Sequence, residues 1–188
     1  QWSTRELGVR LAGALGAPPG QGASTDPGEP ARGDLFTYRL ARGEEGWMVD
    51  IGFTNRIEAP PCDGTLDNKY LVNSAKGADG TYQLRLSKAK VDRLYTFKGQ
   101  VRRIIDGDTL VAMIDQGFGV WTSQKLRLKG LDAPEAGTLA GRQAKVWVEE
   151  ELAKVPFVVI RTSRSDKYDR YLADIFFLEG EQDAQRVA

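Results

Sequence analysis

From residue 34 onward short apolar, β-branched and aromatic runs recur between turn residues, and those runs predict strands. A first set falls at 35–40, 47–53, 70–73 and 82–86, separated by turn residues such as Pro60, Pro61, Gly64 and Asp79-Gly80. A denser, more β-branched set follows at 95–105, 109–114, 120–128, 157–162 and 171–178. Between its third and fourth members Ala140, Ala144, Trp147, Val148 and Leu152 recur at helical spacing. They predict an amphipathic helix over 139–154, closed by Pro156. Three strands, a helix and two strands suit a five-stranded barrel of the OB type with a helix packed across it.

Ahead of these sets, Ser3 and Glu6 form a capping box, and Leu7, Leu11 and Leu15 continue a helical period, so 2–15 is expected to be a short helix. Pro18, Pro19, Gly20, Gly22, Pro27, Gly28 and Pro30 then describe a flexible linker. The expected organisation is a helix and linker over 1–33, a small β-rich domain over 34–93 and the barrel over 94–188. The fold class is mainly β. One echo links the two β regions: Leu35-Phe36-Thr37-Tyr38 resembles Leu94-Tyr95-Thr96-Phe97, and each is followed by Asp-x-Gly-Phe, at Asp50 to Phe53 and Asp115 to Phe118. Either two aromatic strand starts coincide, or the first region is a degenerate copy of the barrel.

Composition narrows the chemistry. The 188 residues include no His and one Cys, which excludes a Ser/His/Asp triad, a Cys/His dyad, a His-ligated zinc and an internal disulfide. Any metal would be a hard cation held by oxygen. With 26 Lys+Arg against 26 Asp+Glu the net charge is zero, so bulk electrostatics do not mark the chain as a nucleic-acid coat, although a local basic groove is compatible with it. No apolar run has the length of a spanning helix. Gln1 in place of Met is read as a trimmed start, with secretion or envelope association expected if a signal segment preceded it.

Four carboxylates compete for adjacent space. Ile105-Asp106-Gly107-Asp108-Thr109 joins two strands, and Asp132-Ala133-Pro134-Glu135 follows the third strand after the Gly130 turn. Taken alone, the Asp-Gly pair is an ordinary hairpin turn. Together the acids need a cation or arginines to neutralise them. Arg127 lies five residues before Asp132 on the polar face of Lys125-Leu126-Arg127-Leu128-Lys129. Arg170, in Asp166-Lys167-Tyr168-Asp169-Arg170, stands at the turn into the last strand. Two guanidiniums beside a carboxylate cluster suit a phosphate group.

In that order these motifs resemble the staphylococcal nuclease (thermonuclease-like) family over about residues 95–180, with Leu172-Ala173 completing the third motif. The resemblance implies an OB-type barrel and a calcium-dependent phosphodiesterase acting on DNA and RNA. It makes Asp108, Asp132 and the carbonyl of Ala133 ligands of Ca2+, and Glu135 the residue that activates or positions water. Arg127 and Arg170 become the phosphate-binding arginines. Lys167 and Tyr168 become contacts to the phosphate end of the nucleotide, and Asp106 an acid behind the ligands. Two carboxylates and a carbonyl would leave a calcium ion open positions for water and substrate. Ala133 stands where close members often carry Thr, which keeps the carbonyl. The second hairpin, Asp115 to Ser123, looks longer than in compact members. Its Phe118 and Trp121 are expected either to stack a base or to pack against the neighbouring β region.

The family continues past Leu178 through further helices, so the chain is expected to be cut short at its C-terminus. The alternative to an enzyme is a non-catalytic OB-type module that binds nucleic acid or protein. A third reading makes 34–93 a partner-binding or substrate-orienting module.

Overall fold

The computed structural model describes residues 33–165, 171–177 and 180–188. The expected helix over 2–15, the linker, and the motif Asp166 to Arg170 lie outside these residues, as do Leu178 and Glu179. Ten strands run in chain order: β1 (Thr37–Arg42), β2 (Trp47–Gly52), β3 (Asn55–Glu58), β4 (Leu71–Lys76), β5 (Tyr82–Ser87), β6 (Thr96–Ile104), β7 (Thr109–Asp115), β8 (Trp121–Leu128), β9 (Val158–Ser165) and β10 (Tyr171–Phe176). Helix α1 (Leu139–Ala153) sits between β8 and β9, and a single turn, α2 (Ala184–Val187), follows β10. No described helix is long and apolar enough to cross a membrane.

Strands β6 to β10 close into a barrel in the order β10-β8-β7-β6-β9, with β9 pairing β10. The fold is mainly β, an OB-type closed barrel with one packed helix, as expected from the pattern. Alternation explains its core: Leu110, Ala112 and Ile114 of β7 face inward with Leu126 and Leu128 of β8, Ile160 of β9 and Ala173 and Ile175 of β10. Val148 and Leu152 of α1 complete this cluster, using the apolar stripe the sequence displays.

The preceding strands form an open sheet in the order β3-β2-β1-β4-β5 around Tyr38, Leu40, Val49, Ile51, Val72 and Leu84. Counted within each unit, both arrangements read third, second, first, fourth, fifth. Their registers coincide as well. Arg39 pairs with Asp50 and Tyr38 with Val72 in the first unit, where Lys98 pairs with Asp115 and Phe97 with Ile160 in the barrel. Parallel pairing of β8 with β10 closes the barrel, whereas in the first unit it shrinks to one bridge between Cys62 and Leu84.

The echoed segments share backbone as well as letters. Phe36 and Tyr95 both have positive φ (55° and 59°), as do Phe53 and Phe118 (51° and 54°). In both Asp-x-Gly-Phe turns the glycine N–H donates to the aspartate Oδ1, at 3.0 Å for Gly52 and 2.9 Å for Gly117. Each turn enters the other unit. Phe53 reaches Phe97 (centroids 5.1 Å apart) and meets Tyr171 edge-on (4.7 Å), while Phe118 packs on Tyr38 (5.1 Å) and Tyr82 (5.2 Å). A Cβ on Gly52 would strike the Phe97 ring and one on Gly117 the Tyr38 hydroxyl, so these turns require glycine for space as well as for φ.

Gln116, fully buried, ties the junction. Its Nε2 donates to the carbonyls of Ile51 (3.0 Å) and Gly52 (2.9 Å), and its Oε1 accepts from Asn55 Nδ2 (2.9 Å). Tyr38 Oη donates to the Gln116 carbonyl at 3.0 Å, and burial raises the Tyr38 phenol above its usual range.

Candidate active site

The end of the barrel away from this junction holds the acidic motifs. Strands β6 and β7 have 9 and 7 residues where β1 and β2 have 6 each, and the added length carries the tip 105–108 outward. There the N–H groups of Ile105 and Asp106 donate to the Thr109 carbonyl at 2.9 and 3.2 Å. The Asp106 carboxylate accepts from the Asp108 N–H at 3.0 Å, so this acid shapes the turn, as short polar side chains do. Gly107 is needed for close approach: a Cβ there would stand 2.7 Å from both the Ala133 and Ala144 methyls. The tip is thereby wedged between the second acidic segment and α1.

Asp108 turns inward and is only 6% exposed. Its carbonyl accepts from the Leu128 N–H at 2.7 Å, which ties the tip to the end of β8. Its Oδ1 accepts from Thr109 Oγ1 at 2.7 Å, and Ala133 N–H points at its Oδ2 from 3.4 Å. Burial pushes the Asp108 carboxyl above the ordinary carboxylate range. The Thr109 hydroxyl and Arg127 pull it down, and Asp106 adds to the rise.

Arg127 joins the two acidic segments. Its Nη2 lies 3.1 Å from Asp108 Oδ2 and 3.0 Å from Asp132 Oδ1. Asp132 is almost wholly exposed, so its pair contributes little by itself; the pair with sheltered Asp108 is the stronger. Because period-two alternation turns Leu126 and Leu128 into the core, Arg127 must face out at the end of β8. The turn through Gly130, whose φ is +74°, then brings Asp132 back over it.

Of the expected site residues, Asp106, Asp108, Arg127, Asp132 and Ala133 come together. Glu135 leads into α1 with an exposed side chain, and its carbonyl accepts from Thr138, whose hydroxyl also caps the helix through Gly141 N–H at 2.9 Å. Lys167, Tyr168 and Arg170 lie outside the described residues. Sequence reading missed Thr109, the hydroxyl that orients Asp108, although its place beside an inward acid is a usable signal. Of the two aromatics of the second hairpin, Phe118 is taken up by the junction, whereas Trp121 is 48% exposed.

The donor set is all oxygen and would suit a hard cation. Among the described residues two carboxylates converge on one guanidinium, and no group of three or more acids is assembled to hold an ion.

This geometry defines a class: an OB-type barrel with an arginine held between two acidic loops at one end. No family model matches the chain. Micrococcal nuclease of Shigella flexneri is 31% identical to it over 83 residues, which is 43% of this chain and 42% of that protein. The chain therefore spans less than half the length of that curated relative.

Proposed function

We propose that the barrel is a calcium-dependent nuclease that hydrolyses phosphodiester bonds of DNA, RNA or both. The observation that carries this reading is the single guanidinium of Arg127 shared by Asp108 and Asp132, which come from separate loops. A planar fork at the rim of an acidic pocket is a phosphate receptor, and it stabilises charge that develops on phosphoryl oxygens. Asp108, Asp132 and the Ala133 carbonyl would hold Ca2+, which when bound supplies positive charge to polarise a phosphate oxygen. Glu135, whose side chain is exposed, would take the proton from the attacking water, since no histidine is present for that work. Arg170 would be the second phosphate ligand, Lys167 and Tyr168 contacts to the phosphate end, and Asp106 the group that holds the tip in shape.

The test is hydrolysis of a labelled single-stranded oligonucleotide across calcium concentration. Cleavage that needs calcium and stops with a chelator supports the reading. Binding without cleavage at any calcium level favours the non-catalytic module, a reading compatible with the lack, among the described residues, of a group of three or more acids placed to hold an ion.

For 34–93 we propose a degenerate copy of the barrel that braces it and carries no site of its own. Shared strand order and register support this, as do the two exchanged phenylalanines.

A further inference from the structure

On the outer face of β6, β7 and β8 the registers align side chains into three rows. Arg103, Val111 and Lys125 form the row nearest Arg127, Gln100, Met113 and Ser123 the next, and Lys98, Asp115 and Trp121 the last. Alternation turns all of them outward, because Ala112, Ile114 and Leu126 between them are fully buried. Along β8 this leaves Arg127, Lys125, Ser123 and Trp121 in one line, running from the proposed scissile site to an indole about 20 Å away at ~3.4 Å per residue.

The chemistry of this line is that of a strand receptor. Lys125 and Arg103 are exposed, and neither is paired with a carboxylate among the described residues. Val111 and Met113 give a half-buried apolar floor. Trp121 keeps 48% of its surface in water, although a large aromatic at a strand start would ordinarily be covered. Beyond Arg127, whose charge is met by Asp108 and Asp132, the face carries Lys98, Arg103 and Lys125 against one acid, Asp115, whose Oδ1 is occupied by the Gly117 N–H. On a chain of zero net charge this is a local concentration of positive charge facing a polyanion's needs.

We propose that this face is a track for single-stranded nucleic acid, with Lys125 and Arg103 on phosphates and Trp121 stacking a base several nucleotides from the cut. A single strand is the occupant because an exposed indole can stack only on a base whose face is free. The proposal rests on the nuclease reading for the position of the cut, not for binding.

The test uses the full chain and fluorescein-labelled oligonucleotides in chelator, so that binding is read by anisotropy without turnover. Trp121→Ala is expected to weaken a single-stranded dodecamer roughly 10-fold. Its effect on a dinucleotide should be at least five times smaller, and Trp121→Phe should restore most of the dodecamer affinity. Lys125→Ala is expected to flatten the dependence of log affinity on log salt by about 0.7. Equal losses on dodecamer and dinucleotide, an unchanged salt slope, or an equal loss on a blunt duplex would overturn the track. Calcium added to the same samples separates the two claims. Trp121-dependent binding without cleavage defeats the nuclease reading and leaves the track. Cleavage with Trp121-independent binding does the reverse.

Discussion

The two β units of this chain begin from the same plan and end in different chemistry. Where they meet, they match in strand order, register, two left-handed aromatic positions and an Asp-x-Gly-Phe turn that each inserts into the other. At the opposite end they part. The first unit crosses from β3 to β4 through residues 59–70 and closes with one parallel bridge. The barrel crosses from β8 to β9 through residues 129–157, which hold the second acidic segment and α1, and its first hairpin is longer. The lesson is that the shared half supplies packing and the added half supplies polar groups. An acid as sheltered as Asp108 is tolerable only where a threonine and an arginine compensate it.

The comparison breaks most sharply at the site. Asp108→Ala is expected to abolish calcium-dependent hydrolysis with the fold intact, read by product formation and circular dichroism. Substitution of Glu44 or Glu45, at the matching tip of the first unit, should leave the rate within about twofold, inside the spread of a surface substitution. Glu135→Gln should slow turnover by roughly 10²–10⁴, the range of a general base, while oligonucleotide affinity stays. A collapse of affinity would assign Glu135 to binding instead.

At the junction, Phe53→Ala should cost about 3–5 kcal/mol in a denaturant titration, because a ring that is 8% exposed leaves a cavity between two cores. The account expects a single transition in which both units unfold together; a shift confined to the first unit would end the bracing proposal. Gln116→Ala, which leaves the Ile51 and Gly52 carbonyls without their donor, should cost about 1–3 kcal/mol in the same measurement. Thr138→Ala removes the cap of α1 together with the hydroxyl's bond to the Glu135 carbonyl and should cost about 1 kcal/mol, an effect with no counterpart in the first unit.

Much of this was legible from the chain. Apolar, β-branched runs placed the barrel strands, and the Ala144, Val148, Leu152 stripe placed α1 to within a residue of its end. Arg127 and Asp132 could be paired because alternation and a glycine turn are local. Strand β3 was not legible, since Asn55-Arg56-Ile57-Glu58 has a single apolar residue and is held by pairing to β2. Nor was the short α2, whose Val187 is buried against Phe157, Val159 and Phe176 from distant segments. Gln116 reads as an ordinary turn residue; only the approach of the other unit buries it. The raised Asp108 carboxyl follows from its burial at the folded tip, a tertiary fact that spacing does not encode.

The central claim turns on the guanidinium shared by the two acidic loops. Its most direct test is the hydrolysis rate of a single-stranded oligonucleotide at saturating calcium for the natural chain and Arg127→Ala. A drop of roughly 10³–10⁵ is predicted, with the circular dichroism of the folded state unchanged and the melting temperature lowered, because Asp108 loses a compensating charge. A variant that cleaves within about tenfold of the natural rate, where a developing charge should be worth several kcal/mol, would contradict it.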